Sequence, residues 1–263
     1  INMIQLGKDV EYNYLFLFIL NCIYPFLKIF YSIKIIDKEN LINDRPIMFI
    51  SKHTTHNYDL IPGLFTLYKE IKKPVRGLGH FLVYLLCPHY IKLGIVVGDR
   101  HTAEKLTKRN ENISVIPGGA EEMISSVINP NKVNWISKSG KYKTGFARLS
   151  IQYEYDIVPI AAKNIEYMVF SPILYIIKKT YLITIFNTLM NKYENSPNVY
   201  IILFYIKAIF TVLFCSILVI PIPVPITFII GNPIKKNKDE TLIEYTKRCE
   251  ISLQHLIYKA NSL

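Results

Sequence analysis

The sequence predicts an α/β protein, a single domain in which helices cover a mixed, mostly parallel sheet. Short apolar runs alternate along the chain with longer segments of helical spacing, a pattern typical of strands joined by helices. Hydrophobic residues make up 51% of the 263 residues and charged residues only 19%, which excludes an intrinsically disordered chain. No internal repeat or low-complexity linker divides the sequence, so we expect one domain with membrane elements added to it.

The predicted strands are short apolar runs bounded by polar residues or turn signals. They cover residues 46–51, 92–97, 113–116 and 156–160. The predicted helices cover residues 60–72, 103–109, 120–128, 144–155 and 240–260. In a sheet of this kind, residues that bind ligands follow the carboxyl ends of the strands, and the unusual residues of this chain lie there.

Residues 15–33 form the first long apolar stretch, with one charged residue, Lys28, and one proline, Pro25. A helix needs about 20 apolar residues to cross a bilayer, so this stretch is only just long enough. Pro25 would kink such a helix, and Lys28 can reach the lipid headgroups. We therefore expect residues 1–40 to anchor the protein in a membrane, as a kinked helix or a re-entrant helix pair, and residues 41–263 to form the main domain.

Residues 201–230 are more apolar still, with Lys207 as their single charge. Prolines at positions 221, 223 and 225 cannot continue a helix, because proline lacks an N–H group. The sequence therefore predicts a helix over residues 200–220 and extended chain over 221–230. That helix either contacts lipid, as part of an insert around 199–230, or is a buried helix of the core.

The chain is basic: 31 Lys and Arg against 20 Asp and Glu give a formal net charge of +11. Such a charge favours an anionic partner, although a composition rich in lysine would also produce it. Nucleic acid is the least favoured partner, because the basic residues form no dense run. A mean hydropathy of +0.23 favours a membrane surface instead.

The four cysteines contain no CxxC pair, so neither a zinc site nor a redox motif is indicated. We expect a reduced environment that faces the cytosol. The cysteines are Cys22, Cys87, Cys215 and Cys249.

A block rich in histidine and threonine, residues 51–59, directly follows the first strand of the predicted core. His53 suits general-base chemistry near neutral pH, and a carboxylate such as Asp59 would orient it. On a continuous helix the two would lie on different faces, so they can pair only across a turn. His56 and Asp59 are three residues apart and could meet on a helix face. The alternative is a histidine with a purely structural role.

Three further blocks contain residues that suit anion binding. Pro117, Gly118 and Gly119 form a turn from a strand into a helix, where backbone N–H groups can face an anion or oxyanion. Arg100 follows another strand, and Lys143 precedes a Gly-Phe helix that leads to Val-Pro-Ile. Taken singly, an ordinary strand–turn–helix connection explains the glycine turn equally well, and solvated surface positions explain Arg100 and Lys143 better than a phosphate site does.

In chain order the four blocks are the His53…Asp59 block, the Arg100 block, the Pro-Gly-Gly block and the Gly-Phe helix that leads to Val-Pro-Ile. Together, and in that order, they resemble the glycerolipid acyltransferase superfamily, which contains lysophospholipid and glycerol acyltransferases. The match runs from about Arg45 to Ile234, and residues 230–234 are similar to the final strand turn of that family. The Pro-Gly-Gly form and the five residues between His53 and Asp59 are most similar to the monoacylglycerol and diacylglycerol acyltransferases.

Two residues depart from the pattern of the family. Lys52 stands where an asparagine usually precedes the histidine, and Glu121 stands where a basic residue is usual. The first change leaves catalysis plausible. The second favours a neutral acceptor over one that bears a phosphate.

The resemblance implies direct acyl transfer from acyl-CoA to a hydroxyl of a glycerolipid, without an acyl-enzyme. His53 would take the hydroxyl proton, and Asp59 would orient the imidazole and stabilise its charge. Dipoles near the Gly118-Gly119 turn would stabilise the oxyanion. Acyl-CoA would be a co-substrate, and neither a cofactor nor a metal is expected.

The remaining implied roles concern binding and location. Arg100 and Lys143 would hold phosphates, Pro117 would belong to the substrate-binding turn, and Glu122 would order that turn or contact acceptor hydroxyls. The expected partners are acyl-CoA, a glycerolipid acceptor and the lipid bilayer, but not nucleic acid. The expected location is the endoplasmic reticulum membrane, with the site facing the cytosol.

Two other functions remain open at this point. One is a lipid-binding protein that keeps the fold and has lost activity, which the departures at Lys52 and Glu121 favour. The other is a membrane-attached nucleic-acid binder, which only the net charge supports.

Overall fold

The computed structural model describes residues 14–41, 44–56, 58–80, 94–137, 139–193, 195–203, 205–206 and 219–263. Its strands are β1 (Lys34–Ile36), β2 (Ile47–Ile50), β3 (Val75–Gly79), β4 (Ile95–Val97), β5 (Asn112–Val115), β6 (Asp156–Lys163), β7 (Val169–Phe170), β8 (Ile220–Pro221) and β9 (Thr227–Ile230). Its helices are α1 (Tyr14–Phe30), α2 (Leu60–Ile71), α3 (Arg100–Lys108), α4 (Gly119–Ser126), α5 (Gly145–Gln152), α6 (Pro172–Lys179), α7 (Leu182–Lys192) and α8 (Leu242–Ser262). Short 3₁₀ helices cover Lys38–Asn40 and Ile165–Tyr167.

The main sheet contains seven described strands in the order β1-β9-β6-β2-β5-β3-β4. Every neighbouring pair is parallel except β6 and β9, which run antiparallel. Strands β7 and β8 form a separate antiparallel pair. The expected mixed, mostly parallel α/β sheet is therefore confirmed.

Strand β2 lies near the centre of this sheet, and its side chains enter both halves of the core. Ile47 and Phe49 join the cluster that α1 and α2 cover, whereas Met48 and Ile50 join the cluster that α3, α5 and α8 cover. This alternation is the two-residue period of a strand buried on both faces. The loop after β2 therefore begins at the buried strand, with Ser51, Lys52 and His53 half-buried and Thr54, Thr55 and His56 buried.

Helix α3 begins three residues earlier than the sequence predicts. The side chain of Asp99 accepts a hydrogen bond from the backbone N–H of Thr102 at 2.7 Å, and this N-cap starts the helix at Arg100. Arg100 therefore lies in the first turn of a helix and not in a loop before it.

The sequence prediction missed strand β3. Two glycines and a charged residue, Arg76, interrupt its apolar pattern, and Arg76 is nonetheless buried and paired with Glu111 at 3.5 Å. The predicted strand over 92–97 is present from Ile95 onwards, and residues 92–93 lie outside the described residues.

Helix α1 forms within the apolar N-terminal segment and contains Pro25. It packs on α2, and the Tyr24 hydroxyl lies 3.4 Å from that of Thr66. Among the helices in the described ranges, none combines the length and apolarity needed to cross a bilayer. The anchoring role of residues 1–40 stays a prediction.

The second apolar segment is only partly described, because residues 204 and 207–218 of the expected helix lie outside the described ranges. The predicted end of that helix at Ile220 is wrong. Ile220 pairs with Phe170 in the β7–β8 ribbon, and the following proline excludes helical continuation. The extended chain expected after it is present as β8 and β9.

Candidate active site

His53 lies in the loop between β2 and α2, at the carboxyl end of the central strand. Its ring Nδ1 lies 3.0 Å from the carbonyl oxygen of Thr54. A carbonyl oxygen only accepts hydrogen bonds, so Nδ1 carries the proton and Nε2 keeps its lone pair. This is the tautomer that a general base needs.

The electrostatics around His53 favour its neutral form. Burial lowers the pKa of His53 below its ordinary value, and the positive charge of Lys52 lowers it further. The negative charge of Asp59 acts in the opposite direction and raises the pKa. The imidazole is therefore able to accept a proton at neutral pH.

Asp59 lies close to His53, but no direct hydrogen bond joins these two described residues. Instead, the Thr54 hydroxyl donates to Asp59 Oδ1 at 2.7 Å, while the Thr54 carbonyl holds the imidazole. Asp59 therefore acts on the His53 ring through its charge, and Thr54 holds both side chains in place. The sequence prediction overlooked Thr54 because threonine at this position is compatible with any turn.

His56 has a structural role and does not meet Asp59 on a helix face. It is 1% exposed, its Nε2–H donates to the carbonyl of Ile165 at 3.1 Å, and its Nδ1 accepts from the Tyr58 backbone at 3.2 Å. With both ring nitrogens occupied, His56 fixes the loop and cannot serve as a base.

Glu122, on α4, connects the glycine turn to the histidine loop. Its side chain is fully buried and accepts backbone hydrogen bonds from His53 at 2.9 Å and from Asn134 at 3.0 Å. Burial raises the pKa of Glu122 to about 7. The expected ordering role of Glu122 thus extends directly to the backbone of His53.

Gly118 and Gly119 are glycines for different reasons. A Cβ on Gly118 would overlap the Glu122 side chain, so only glycine allows this close approach. Gly119 has a φ of +56°, in the left-handed region. Its N–H donates to the carbonyl of Ile116 at 3.1 Å, so that group closes the turn and does not face a ligand.

Lys143 binds the same turn from the other side. Its ammonium donates to the carbonyl of Gly118 at 2.6 Å and pairs with Glu121 at 2.5 Å. Glu121, which departs from the pattern of the family, therefore neutralises a nearby cation.

Arg100 lies on the surface, 74% exposed, and pairs with Glu104 at 2.8 Å. It lines a cleft of about 450 Å³ together with Lys143 and with the turn residues Pro117 and Gly119. Arg148, a further basic residue on α5, lines the same cleft. This cleft therefore places basic side chains beside the glycine turn.

A smaller, mainly apolar pocket of about 100 Å³ lies beside the histidine loop. Lys52, Thr54 and Asp59 line its polar part. Its apolar walls include Leu60, Gly63, Leu64, Ile160 and Phe228.

The predicted site residues thus form two groups. His53, Asp59 and Glu122 surround the histidine loop, whereas Arg100 and Lys143 line the basic cleft. The Pro-Gly-Gly turn connects them, because Gly118 contacts both Glu122 and Lys143. Within the described residues, no group of three or more His, Cys, Asp or Glu could hold a metal ion.

Comparisons with known proteins concern the fold and the family of this chain. A solved structure with a similar fold is the 1-acyl-sn-glycerophosphate (LPA) acyltransferase PlsC from Thermotoga maritima. It is 12% identical, with a TM-score of 0.55 over 94% of this chain and 82% of that chain, a likeness that concerns the fold. Among curated proteins, none matches this sequence. A family model for diacylglycerol acyltransferases matches residues 30–260, and the chain therefore belongs to the diacylglycerol acyltransferase family, within the glycerolipid acyltransferase superfamily.

Proposed function

We propose that this protein transfers a fatty acyl group from acyl-CoA to a hydroxyl of a glycerolipid acceptor, with His53 as the general base. The observation that carries the proposal is the state of His53. Its Nδ1–H is fixed by the Thr54 carbonyl, its pKa is lowered, and its backbone is held by Glu122. Membership in the family supports the reaction type.

In this reaction the acyl group passes directly from CoA to the acceptor, through one tetrahedral intermediate. Nε2 of His53 takes the proton of the acceptor hydroxyl as its oxygen bonds to the thioester carbonyl carbon. The carbon–sulfur bond of the tetrahedral intermediate then breaks, and the imidazolium returns its proton to the departing sulfur. The products are an ester and free CoA, and no acyl-enzyme forms.

Asp59 stabilises the imidazolium during this displacement. Its carboxylate acts on the ring through space and is held in place by the Thr54 hydroxyl. Because Thr54 also binds Nδ1–H, a single residue positions both members of the pair.

The basic cleft suits the phosphates of CoA. Arg100 is exposed, and its planar guanidinium can bind phosphate with two N–H groups. Arg148 and Lys143 line the same cleft. The apolar pocket beside Asp59 offers a surface for a fatty chain.

A neutral acceptor, such as monoacylglycerol or diacylglycerol, fits the charges beside the glycine turn best. The Glu121–Lys143 pair leaves Lys143 with its charge compensated. A second phosphate, on the acceptor, would compete with Glu121 for that cation.

The protein acts at a membrane in this proposal, with its site on the cytosolic face of the endoplasmic reticulum. Large side chains on one face of α1 are exposed, Phe18 by 65% and Phe26 by 73%, and a bilayer would cover them. Phe18→Glu with Phe26→Glu should abolish flotation with phosphatidylcholine vesicles, whereas Tyr258→Glu, at an exposed position of α8, should not. Unchanged flotation of the double variant would show that α1 does not contact the membrane.

The function is tested by supplying labelled long-chain acyl-CoA with a panel of acceptors in mixed micelles. The panel contains glycerol-3-phosphate, lysophosphatidic acid, lysophospholipids, monoacylglycerol and diacylglycerol. We expect labelled ester from a neutral acceptor, with one free CoA released for each ester formed. Absence of product on every acceptor, from folded protein that still binds lipid, would leave a lipid-binding function instead.

The donor site is tested with acyl-CoA and its 3′-dephospho analogue. Wild type should show a higher KM for the analogue, and Arg100→Ala should raise the KM for acyl-CoA without lowering kcat. If Arg100→Ala has the same KM as wild type for acyl-CoA and also for the analogue, the CoA phosphates do not bind at Arg100.

A further inference from the structure

Lys52 departs from the asparagine that usually precedes the histidine, and the structure gives this lysine a specific set of partners. Its ammonium donates to the carbonyl of His53 at 2.8 Å, to the Ser126 hydroxyl at 2.5 Å and to Glu166 at 3.3 Å. An ammonium has three N–H donors, so each has one acceptor. The side chain is only 8% exposed.

Glu166 lies in the 3₁₀ turn that follows β6, more than a hundred residues away along the chain, and it compensates this buried charge. Its Oε1 pairs with Lys52, and its Oε2 accepts from both the backbone N–H and the hydroxyl of Thr55, at 3.2 and 3.1 Å. A single carboxylate therefore binds Lys52, which precedes His53, and Thr55, which follows it.

These contacts hold the backbone of His53 at both of its polar groups. Glu122 accepts from the N–H, while Lys52 and Ser126 donate to the carbonyl oxygen. With N–H and C=O both fixed, the peptide planes around His53 have little rotational freedom. The direction of its Cα–Cβ bond is therefore set, and the Thr54 carbonyl orients the ring at the end of that bond.

We propose that Lys52 and Glu166 are positioning residues for acyl transfer: their ion pair fixes the backbone of the His53 loop so that the imidazole meets the acceptor hydroxyl in a reactive orientation. The proposal rests on the proposed function and adds two residues to its machinery. It also explains how lysine is tolerated before the histidine, because Glu166 supplies the charge that a buried ammonium requires.

The test uses the full chain with Lys52→Met, Glu166→Gln and the double variant. Methionine keeps the length of the side chain without its charge or donors, and glutamine keeps an acceptor for Thr55. Lys132→Met, an exposed position outside the site, is the matched control. Loss of orientation should lower kcat by about 10- to 100-fold in Lys52→Met with an unchanged KM for acyl-CoA. Glu166→Gln should lower kcat less, and the double variant should resemble Lys52→Met.

A second readout is the pKa of His53, which NMR reports without turnover and which the pH profile of turnover reports independently. The ionisable groups around His53 are Lys52, Asp59, His56 and Glu122. Because the charge of Lys52 lowers the pKa of His53, Lys52→Met should raise that pKa, as followed by NMR of labelled histidine and by the acidic limb of the kcat/KM profile. An unchanged His53 pKa in folded Lys52→Met would show that the ammonium does not lie against the His53 loop, and would overturn the positioning role.

The outcomes separate the two proposals. No turnover by wild type overturns the proposed function and, with it, the positioning role. Turnover by wild type with kcat unchanged in folded Lys52→Met overturns the positioning role alone. A raised KM with unchanged kcat also overturns it, because Lys52 would then bind substrate. If Lys52→Met does not fold, an unchanged kcat in Glu166→Gln overturns the positioning role in the same way.

Discussion

Deprotonation of Glu122 should make the folded protein less stable as the pH rises from about 5 to about 8. This glutamate is 0% exposed, and burial raises its pKa from 4.5 to about 7. The folded state therefore keeps the proton at pH values where the unfolded chain has lost it. The stabilisation from this group is complete below about pH 4.5 and is lost as the pH rises through about 7.

The magnitude follows from the size of the pKa shift. One pKa unit corresponds to about 1.4 kcal/mol, so the shift of Glu122 corresponds to about 3 kcal/mol of unfolding free energy. For a domain of this size, that is a fall of about 6–12 °C in Tm. The backbone hydrogen bonds from His53 and Asn134 to the carboxylate already oppose the shift, so burial is the cause.

The assay is chemical denaturation at a series of pH values, in detergent micelles, for wild type and Glu122→Gln. The pKa of His53 is lowered, so His53 makes the folded protein more stable as the pH rises, opposite to Glu122. The pKa of Glu250 is raised, so Glu250 makes the folded protein less stable as the pH rises, like Glu122. Both groups remain in the variant, so the difference between the two curves isolates Glu122. Parallel curves between about pH 5 and 8 would refute the reasoning.

Three further substitutions test packing and helix ends. Gly118→Ala should lower the initial rate of acyl transfer at least about 10-fold, because its Cβ would overlap the Glu122 side chain. A folded variant with the wild-type rate would contradict the contact. Gly63→Ala should raise the unfolding free energy by about 0.5–1 kcal/mol in denaturant titrations, because the nearest atom to the added Cβ lies 3.9 Å away. A lower unfolding free energy would show that the pocket wall has no room for a methyl group. Thr241→Ala removes the capping box of α8 and should lower that free energy by about 1 kcal/mol, whereas an unchanged midpoint would mean that the cap contributes nothing.

The sequence predicted best those parts of the fold and the site that short segments determine. Strand β2 is an uninterrupted apolar run, and the block that contains His53 follows it directly, so the place of His53 at the carboxyl end of a strand could be predicted from order alone. The glycine turn was recognisable for the same reason. The structure adds the cause, because Glu122 occupies the space that a side chain on Gly118 would need.

Contacts between distant segments could not be predicted from one sequence. Glu166 meets Lys52 because β6 runs beside β2 in the sheet, and no local pattern marks that glutamate. Strand β3 was missed because Arg76, a charged residue in its middle, finds its partner Glu111 only in the folded sheet. The bridge from His53 to Asp59 through Thr54 depends on the path of the loop, which spacing alone does not fix.

The central claim is that His53 is the base of an acyl transfer reaction. The measurement that tests it most directly is the initial rate of labelled ester formation from acyl-CoA, on the acceptor that wild type prefers. The variants are His53→Ala and, as a control, His255→Ala, an exposed histidine of α8. Loss of a general base should lower the rate by about 100- to 10,000-fold in His53→Ala, with His255→Ala equal to wild type. A folded His53→Ala protein that forms ester at the wild-type rate would contradict the account.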